Sequence, residues 1–429
     1  MKRKRVLPLC LGAWLACAPA KPQAQTQITL EDLVRASLDR NREVLALRQH
    51  VAQARGLARQ AGVRPAPSIE AEALSGRPLG SPGDQEFSAA FVKPVEAFGK
   101  RSHRVRVADL AVALAEAELD QRSRQIAYQI EAGYLSVLYE RERIAVLDQV
   151  ADSLLQSRRL TEARVREGDA APLEAQLLAV EQSRTNARRA DAGGRLLSAE
   201  LELHRLTGLA ASEPLPDVAP TGAGTTLLLD QLIARALEKR PDLRAARLLE
   251  QQGEAESELA KSEAHPDLTV SARYTHLEES FENQYGLTSS GALTPIRGQF
   301  NTLSVGVSFP LVTPRRNQGA IEAAASGAAG ARLRREHLES TIPLEVQGAY
   351  QRWTAAQRTR DLLRDGVVGQ SNKNLAVVRQ AYQLGQLRLL DVLDEQRRVT
   401  ESEFTYLDAG DQAARALVDL ERLTGGLLP

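Results

Sequence analysis

A chain of 429 residues with 55 basic and 55 acidic side chains carries no excess charge for nucleic acid, and no nucleic-acid partner is expected. Aromatic residues make up 4% and there is one Met, whereas Ala, Leu, Arg, Glu and Gln abound, a composition suited to long helices rather than to a globular enzyme core. Six scattered His, no Cys cluster, no Gly-rich phosphate loop and no nucleophile elbow leave no basis for catalysis, a metal centre or a cofactor.

Residues 1–25 read as a signal peptide. Lys2 to Arg5 form a positive start, Val6 to Ala16 an apolar run too short to span a bilayer, and Ala18-Pro19-Ala20 a small-residue cleavage site. Both cysteines, Cys10 and Cys17, lie here, so no disulfide framework is expected. Leu15-Ala16-Cys17 partly resembles a lipoprotein box, with Trp14 where that pattern wants leucine. Cys17 is therefore a candidate lipid-attachment site, the alternative being that it leaves with the signal segment.

The remainder is written twice. ITLEDLVRASLDRNREVLALR from Ile28 recurs as LLLDQLIARALEKRPDLRAAR from Leu227 at an offset of 199, which Pro67 and Pro266 share. Pro94 and Pro310, then Tyr134 and Tyr350, match at 216, and RLTG from Arg205 recurs from Arg422 at 217. The second half thus holds an insertion of 17 residues, expected in a hairpin loop where extra length is tolerated.

Each half predicts short helices (26–65 and 226–265), a strand hairpin (66–96 and 266–312) and a long helical hairpin (97–225, including a linker, and 313–429). In LTVSARYT, Leu268, Val270, Ala272 and Tyr274 alternate with polar residues. In TLSVGVSF, Leu303, Val305, Val307 and Phe309 do the same, and residues 69–73 with 87–92 form the first-half counterpart. Runs of about ten alternating residues fit a tilted membrane-crossing strand as well as a soluble hairpin with one face on a core. In the membrane case four strands cannot close a barrel, so several copies must pool them.

From about 101 to 166 and from 317 to 384, apolar residues recur at three- and four-residue steps, predicting coiled-coil rods about 100 Å long. Pro343 is expected to bend the second rod, and its Ala-rich stretch 323–329 to permit close packing. Gly168 and Gly385, equivalent at offset 217, suit left-handed helix ends, and Pro172 the first turn of a returning helix.

The duplicated plan, the two strand pairs and a turn reading YxxGxxxLLDVLD from Tyr382 resemble the TolC family of outer-membrane efflux channels. FVKPVEAFGKR from Phe91 is similar to a segment of its CzcC-like heavy-metal branch. The resemblance implies a mainly α fold with β: long helical hairpins forming a trimeric α-barrel, and four strands per chain contributing to a twelve-stranded transmembrane β-barrel. It implies a passive exit duct in the outer membrane, in contact with outer-membrane lipid. The partners are a periplasmic membrane-fusion adaptor at the tip turns (Gly168, Pro172, Gly385) and an inner-membrane pump of the RND type. Asp391 and Asp394 match the family's aperture aspartates, and Glu174 and Tyr382 a pair that links the coils shut. The family's linking arginine falls on Leu387, leaving Arg388, one residue on, as its candidate substitute. The plainer alternative for the aspartates is solvation, with Asp394 paired to Arg398 at i+4. A periplasmic coiled-coil adaptor or scaffold without a pore is the rival function.

Overall fold

The computed structural model describes residues 30–76, 78, 85–213, 215, 228–311 and 317–426, the side chains of 280–283 excepted. The signal segment and Cys17 lie outside them. The first half comprises α1 (Leu30–Arg40), α2 (Arg42–Ala61), β1 (Ser68–Ser75), β2 (Gln85–Val95), α3 (Lys100–Glu167) and α4 (Pro172–Thr207). The second comprises α5 (Leu229–Lys239), α6 (Pro241–Glu263), β3 (Leu268–Leu287), β4 (Leu293–Ser308), α7 (Gln318–Leu362), α8 (Gly369–Gln383) and α9 (Leu389–Thr424). A π-helical turn, Leu363–Val368, joins α7 to α8. The α-helix runs unbroken through Pro343 and changes character only at that turn. None of the described helices is long and apolar enough to cross a membrane.

Duplication is legible in the packing. One core gathers Leu33, Val44, Ile126, Ile130, Val137, Leu203 and Leu206 from α1 to α4. The other gathers Leu232, Leu243, Ile342, Val346, Trp353, Leu420 and Leu423, the same positions at the repeat offsets, from α5, α6, α7 and α9. Each pair of short helices covers the apolar stripe of its long hairpin, at the middle of the outgoing helix and the last turns of the returning one. The small-residue faces pack as expected: Gly253 of α6 lies so close to α7 that an added Cβ would stand 2.9 Å from the Ala328 Cα.

The strands form one antiparallel sheet of order β1-β2-β3-β4. Its register places Ile69, Phe91, Ala272 and Val305 in one row, and Ala71, Ala89, Tyr274 and Leu303 in the next. This face is apolar and exposed, Ile69 at 80% and Leu303 at 76%, so it is not the inner face of a soluble core. The opposite face is polar. Arg273 reaches across it, donating from Nη1 to Ser88 Oγ (2.9 Å) and from Nη2 to Glu70 Oε2 (3.3 Å).

β3 and β4 run to 20 and 16 residues, against 8 and 11 for β1 and β2. The inserted residues therefore extend both strands instead of enlarging the loop, and a tight turn at Thr288–Ala292, closed by Thr288 N–H to Ala292 O at 2.9 Å, joins them.

The FGKR segment is where sheet meets helices. Gly99 takes a left-handed φ of 71° before α3 starts. Lys100 then bonds Asp267 of the other half at 2.8 Å, and the guanidinium of Arg101 donates to Gly62 O at the end of α2 (2.7 Å).

Candidate functional site

The far ends of the two long hairpins meet. There Val150 and Leu154 of α3, Leu178 of α4 and Leu389 and Leu393 of α9 form a third apolar cluster, with Tyr382 of α8 packed against it. Both turns use one device. Gly168 (φ 82°) donates to Val165 O at 3.2 Å, and Asp169 N–H reaches Arg164 O at 2.8 Å. Gly385 (φ 75°) donates to Tyr382 O at 3.0 Å, and Gln386 N–H reaches Ala381 O at 2.9 Å. These are the same bonds at offset 217, each needing a residue free to adopt the left-handed conformation. Pro172 opens α4, where its missing N–H costs no helical bond.

Tyr382 Oη donates to Glu174 Oε2 at 2.9 Å, joining α8 to α4. Burial first, and then the neighbouring Glu174 carboxylate, push the Tyr382 phenol above its ordinary range, so it stays a donor at neutral pH. Arg388 does not enter this link. As N-cap of α9 it turns its side chain to solvent, and its backbone N–H donates to Asp391 Oδ2 at 2.9 Å. The guanidinium beside the tyrosine comes from Arg164 of α3, 5.8 Å from the ring centroid, with Nη1 3.5 Å from Oη.

Asp391 and Asp394 are exposed on the opening turns of α9, while Leu393 and Gln396 face inward. Asp391 also caps the positive end of its helix. Asp394 pairs with Arg397 at i+3 (3.1 Å), and Arg398 with Glu395, so the Asp394–Arg398 alternative is replaced by the neighbouring rung.

A second link lies two turns deeper on α4. Glu181, its side chain 7% exposed, accepts from Arg397 Nη2 at 2.6 Å and Nε at 3.1 Å, and from Arg184 at 3.2 Å. Burial would raise this carboxyl, but the Arg397 hydrogen bonds and the surrounding guanidinium charges outweigh it and hold Glu181 below the usual range. The sequence signal was available: Glu174, Leu178, Glu181 and Thr185 share one stripe at helical spacing, and a carboxylate on a buried stripe requires a cation from the facing helix. Further along, Tyr139 of α3 donates to Asp408 of α9, and Arg143 stacks 4.6 Å from the Phe404 ring centroid. The halves are thus joined by a ladder of polar rungs between helices. Among the described residues no cluster of three or more His, Cys, Asp or Glu side chains could hold a metal ion.

A long double hairpin with an exposed apolar sheet at one end and a polar latch at the other defines a channel-forming architecture, and comparison with known proteins agrees. The model of the outer membrane efflux protein family matches residues 33–209 and 232–426, and the chain belongs to that family. It is an outer-membrane efflux channel protein of the TolC kind. It is similar to the cobalt-zinc-cadmium resistance protein CzcC of Cupriavidus metallidurans, 26% identical over 334 residues, 77% of this chain and 75% of the relative. The solved structure of CusC shares the fold at a TM-score of 0.74 and 16% identity, over 94% of this chain and 93% of that one. The open state of the MtrE channel of Neisseria gonorrhoeae does so at 0.72 and 18%, over 93% and 89%. The rival reading as a pore-less periplasmic adaptor is set aside by the family match.

Proposed function

We propose that three copies of this chain pool their sheets into a closed twelve-stranded barrel in the outer membrane and their helices into a periplasmic duct. Substrate enters this duct from an adaptor and an inner-membrane pump of the RND type. The observation that carries the reading is the sheet itself. It turns a continuous apolar face outward and a polar one inward, and leaves β1 and β4 each with an unpaired edge. In lipid such edges must pair, and pairing β4 of one copy with β1 of the next closes the ring and hides them.

At the other end, Asp391 and Asp394 would ring the aperture in threefold repetition and attract cations, while Glu174–Tyr382, joined by Glu181–Arg397, holds the coils together. The tip turns at Gly168, Pro172 and Gly385 are the surface offered to the adaptor. Divalent heavy-metal cations are the cargo, a reading supported by the likeness to CzcC and by the acidic aperture. The chain is passive, the pump supplying the energy. Cys17 stays a candidate lipid-attachment site, tested by mass spectrometry of the mature N-terminus.

The assembly is tested by extracting the outer-membrane fraction with mild detergent. A species three times the chain mass that collapses to monomer on boiling is expected. A monomer that partitions into the soluble fraction would refute the barrel.

A further inference from the structure

The segment FVKPVEAFGKR, residues 91–101, joins the sheet to the helices, and most of its polar members are engaged within the chain. Glu96 accepts from Arg104 at 2.6 and 3.2 Å, Lys100 bonds Asp267, and Arg101 donates to Gly62 O. Lys93 is not. It is exposed, and its side chain makes no ion pair or hydrogen bond among the described residues.

Register fixes where it stands. Lys93 lies opposite Val270, which lies opposite Val307, and along β2 the same face carries Phe91 and Val95. This is the exposed apolar face that meets lipid in the proposed barrel. From Phe87 to Val95 it spans about 26 Å of strand, or about 20 Å of depth at the roughly 40° tilt of such strands. Over that depth no other Asp, Glu, Lys or Arg stands on it. Lys93 sits one row, about 5 Å of depth, inside the helix-side edge. At that edge the Phe98 ring is 58% exposed and stacks on His265 at 4.3 Å. Phe98 is also the one non-glycine residue with positive φ (55°) among the described residues. An exposed aromatic at this level suits the boundary between hydrocarbon and headgroups.

An ammonium is costly deep in hydrocarbon and tolerated near its edge, where the four-carbon stem lets the charge reach the headgroups. With no carboxylate on its own face, Lys93 must take its counter-ion from the bilayer, and the anion at that depth is the lipid phosphodiester. We propose that Lys93 binds the phosphate of a glycerophospholipid in the leaflet on the helix side, and prefers one whose headgroup is net anionic. A zwitterionic headgroup brings its own ammonium beside the phosphate and so competes with the lysine. One site per copy makes three around the barrel, anchoring the depth at which sheet gives way to helices. The inference rests on the barrel reading and adds to it a ligand and the residue that holds it.

The test uses the full-length protein in mild detergent, titrated with dimyristoylphosphatidylglycerol or dimyristoylphosphatidylcholine and weighed intact by native mass spectrometry. The parent trimer should bind phosphatidylglycerol about fivefold more tightly than phosphatidylcholine, the effect of a single lysine charge near the surface. Lys93→Gln should abolish that preference and Lys93→Arg should keep it. Lys373→Gln, which removes an exposed charge from α8, should leave it intact. Millimolar inorganic phosphate should not displace the bound lipid; displacement would make this a phosphate site and not a lipid site. The same spectra report the assembly. A monomer would overturn the barrel and this site with it. A trimer in which the parent shows no preference, Lys93→Gln keeps it, or Lys373→Gln loses it equally would overturn this inference alone.

Discussion

Removing the Tyr382 hydroxyl tests the latch most directly. A net hydrogen bond contributes about 0.5–1.5 kcal/mol, more when one partner is charged and less when it is solvated. With Tyr382 and Glu174 both half-buried, Tyr382→Phe should cost about 1 kcal/mol locally, roughly fivefold in the local opening constant. Breaking a fully buried ion pair costs about 3–5 kcal/mol, but Arg397 is 43% exposed and Arg184 remains beside Glu181, so Arg397→Gln should cost about 1–2 kcal/mol. Glu174 and Glu181 lie two turns apart on α4, about 10 Å, far enough for the two effects to add. The double variant should then open some 30- to 150-fold more often.

Hydrogen–deuterium exchange of peptides covering 161–178 and 380–396 reads this constant, with the strands as an internal control. Within the pair, Tyr382→Phe and Glu174→Ala should be redundant, with a coupling of about 1 kcal/mol. Coupling below about 0.3 kcal/mol, or unchanged exchange in the double variant, would refute the claim that these rungs hold the tip together.

Gly425→Ala should abolish folding or cost well over the roughly 1 kcal/mol expected for Gly168→Ala. Both glycines have positive φ, but a Cβ at Gly425 would stand 2.8 Å from the Lys239 backbone, whereas Gly168 faces open space. Thermal melts of the two variants decide it. Gly253→Leu should part α6 from α7 and lower the melting temperature by several degrees, since the wall it meets is the Ala328 backbone. The Glu131 carboxyl is pushed up to about 7 by burial, with Glu421 and Glu31 facing it from α9 and α1. Its folded form therefore binds the proton more tightly, and stability falls as pH rises from about 4.5 to about 7. Glu131→Gln should accordingly melt higher than the parent at pH 8 and nearly alike at pH 4.5; equal shifts at both would exclude this origin. Replacing Asp391 and Asp394 together by Ala should weaken block of bilayer currents by trivalent cations at least tenfold, and undiminished block would remove them from the aperture.

Local signals were legible wherever a periodic pattern met a single neighbour. The alternation at 268–275 and 302–309 placed the apolar face, the turn glycines followed from the repeat, and the Glu174–Tyr382 pair came only from the family resemblance. The extension of β3 and β4 was not legible, because beyond Tyr274 the apolar side gives way to His276, Glu278, Gln299 and Asn301. From Leu277 and Phe300, which pair across β3 and β4, apolar residues stand on the other face, so the period-two phase set before Tyr274 is broken. Arg164 escaped notice because its contact with Tyr382 depends on how α3 is rotated against α8, a tertiary quantity. The rung Glu181–Arg397 needed the relative phase of two helices separated by more than two hundred positions.

The unequal hairpins carry a consequence for the cell exterior. In the proposed ring, short and tall ribbons alternate, so the rim is crenellated, with three two-stranded turrets rising above a lower wall. Each turret ends at Gly291, with φ of 80° and nothing within 4 Å of where a side chain would begin. That crest is where an antibody or a phage tail fibre would first touch the bacterium, and where a peptide tag could be grafted without disturbing the wall beneath.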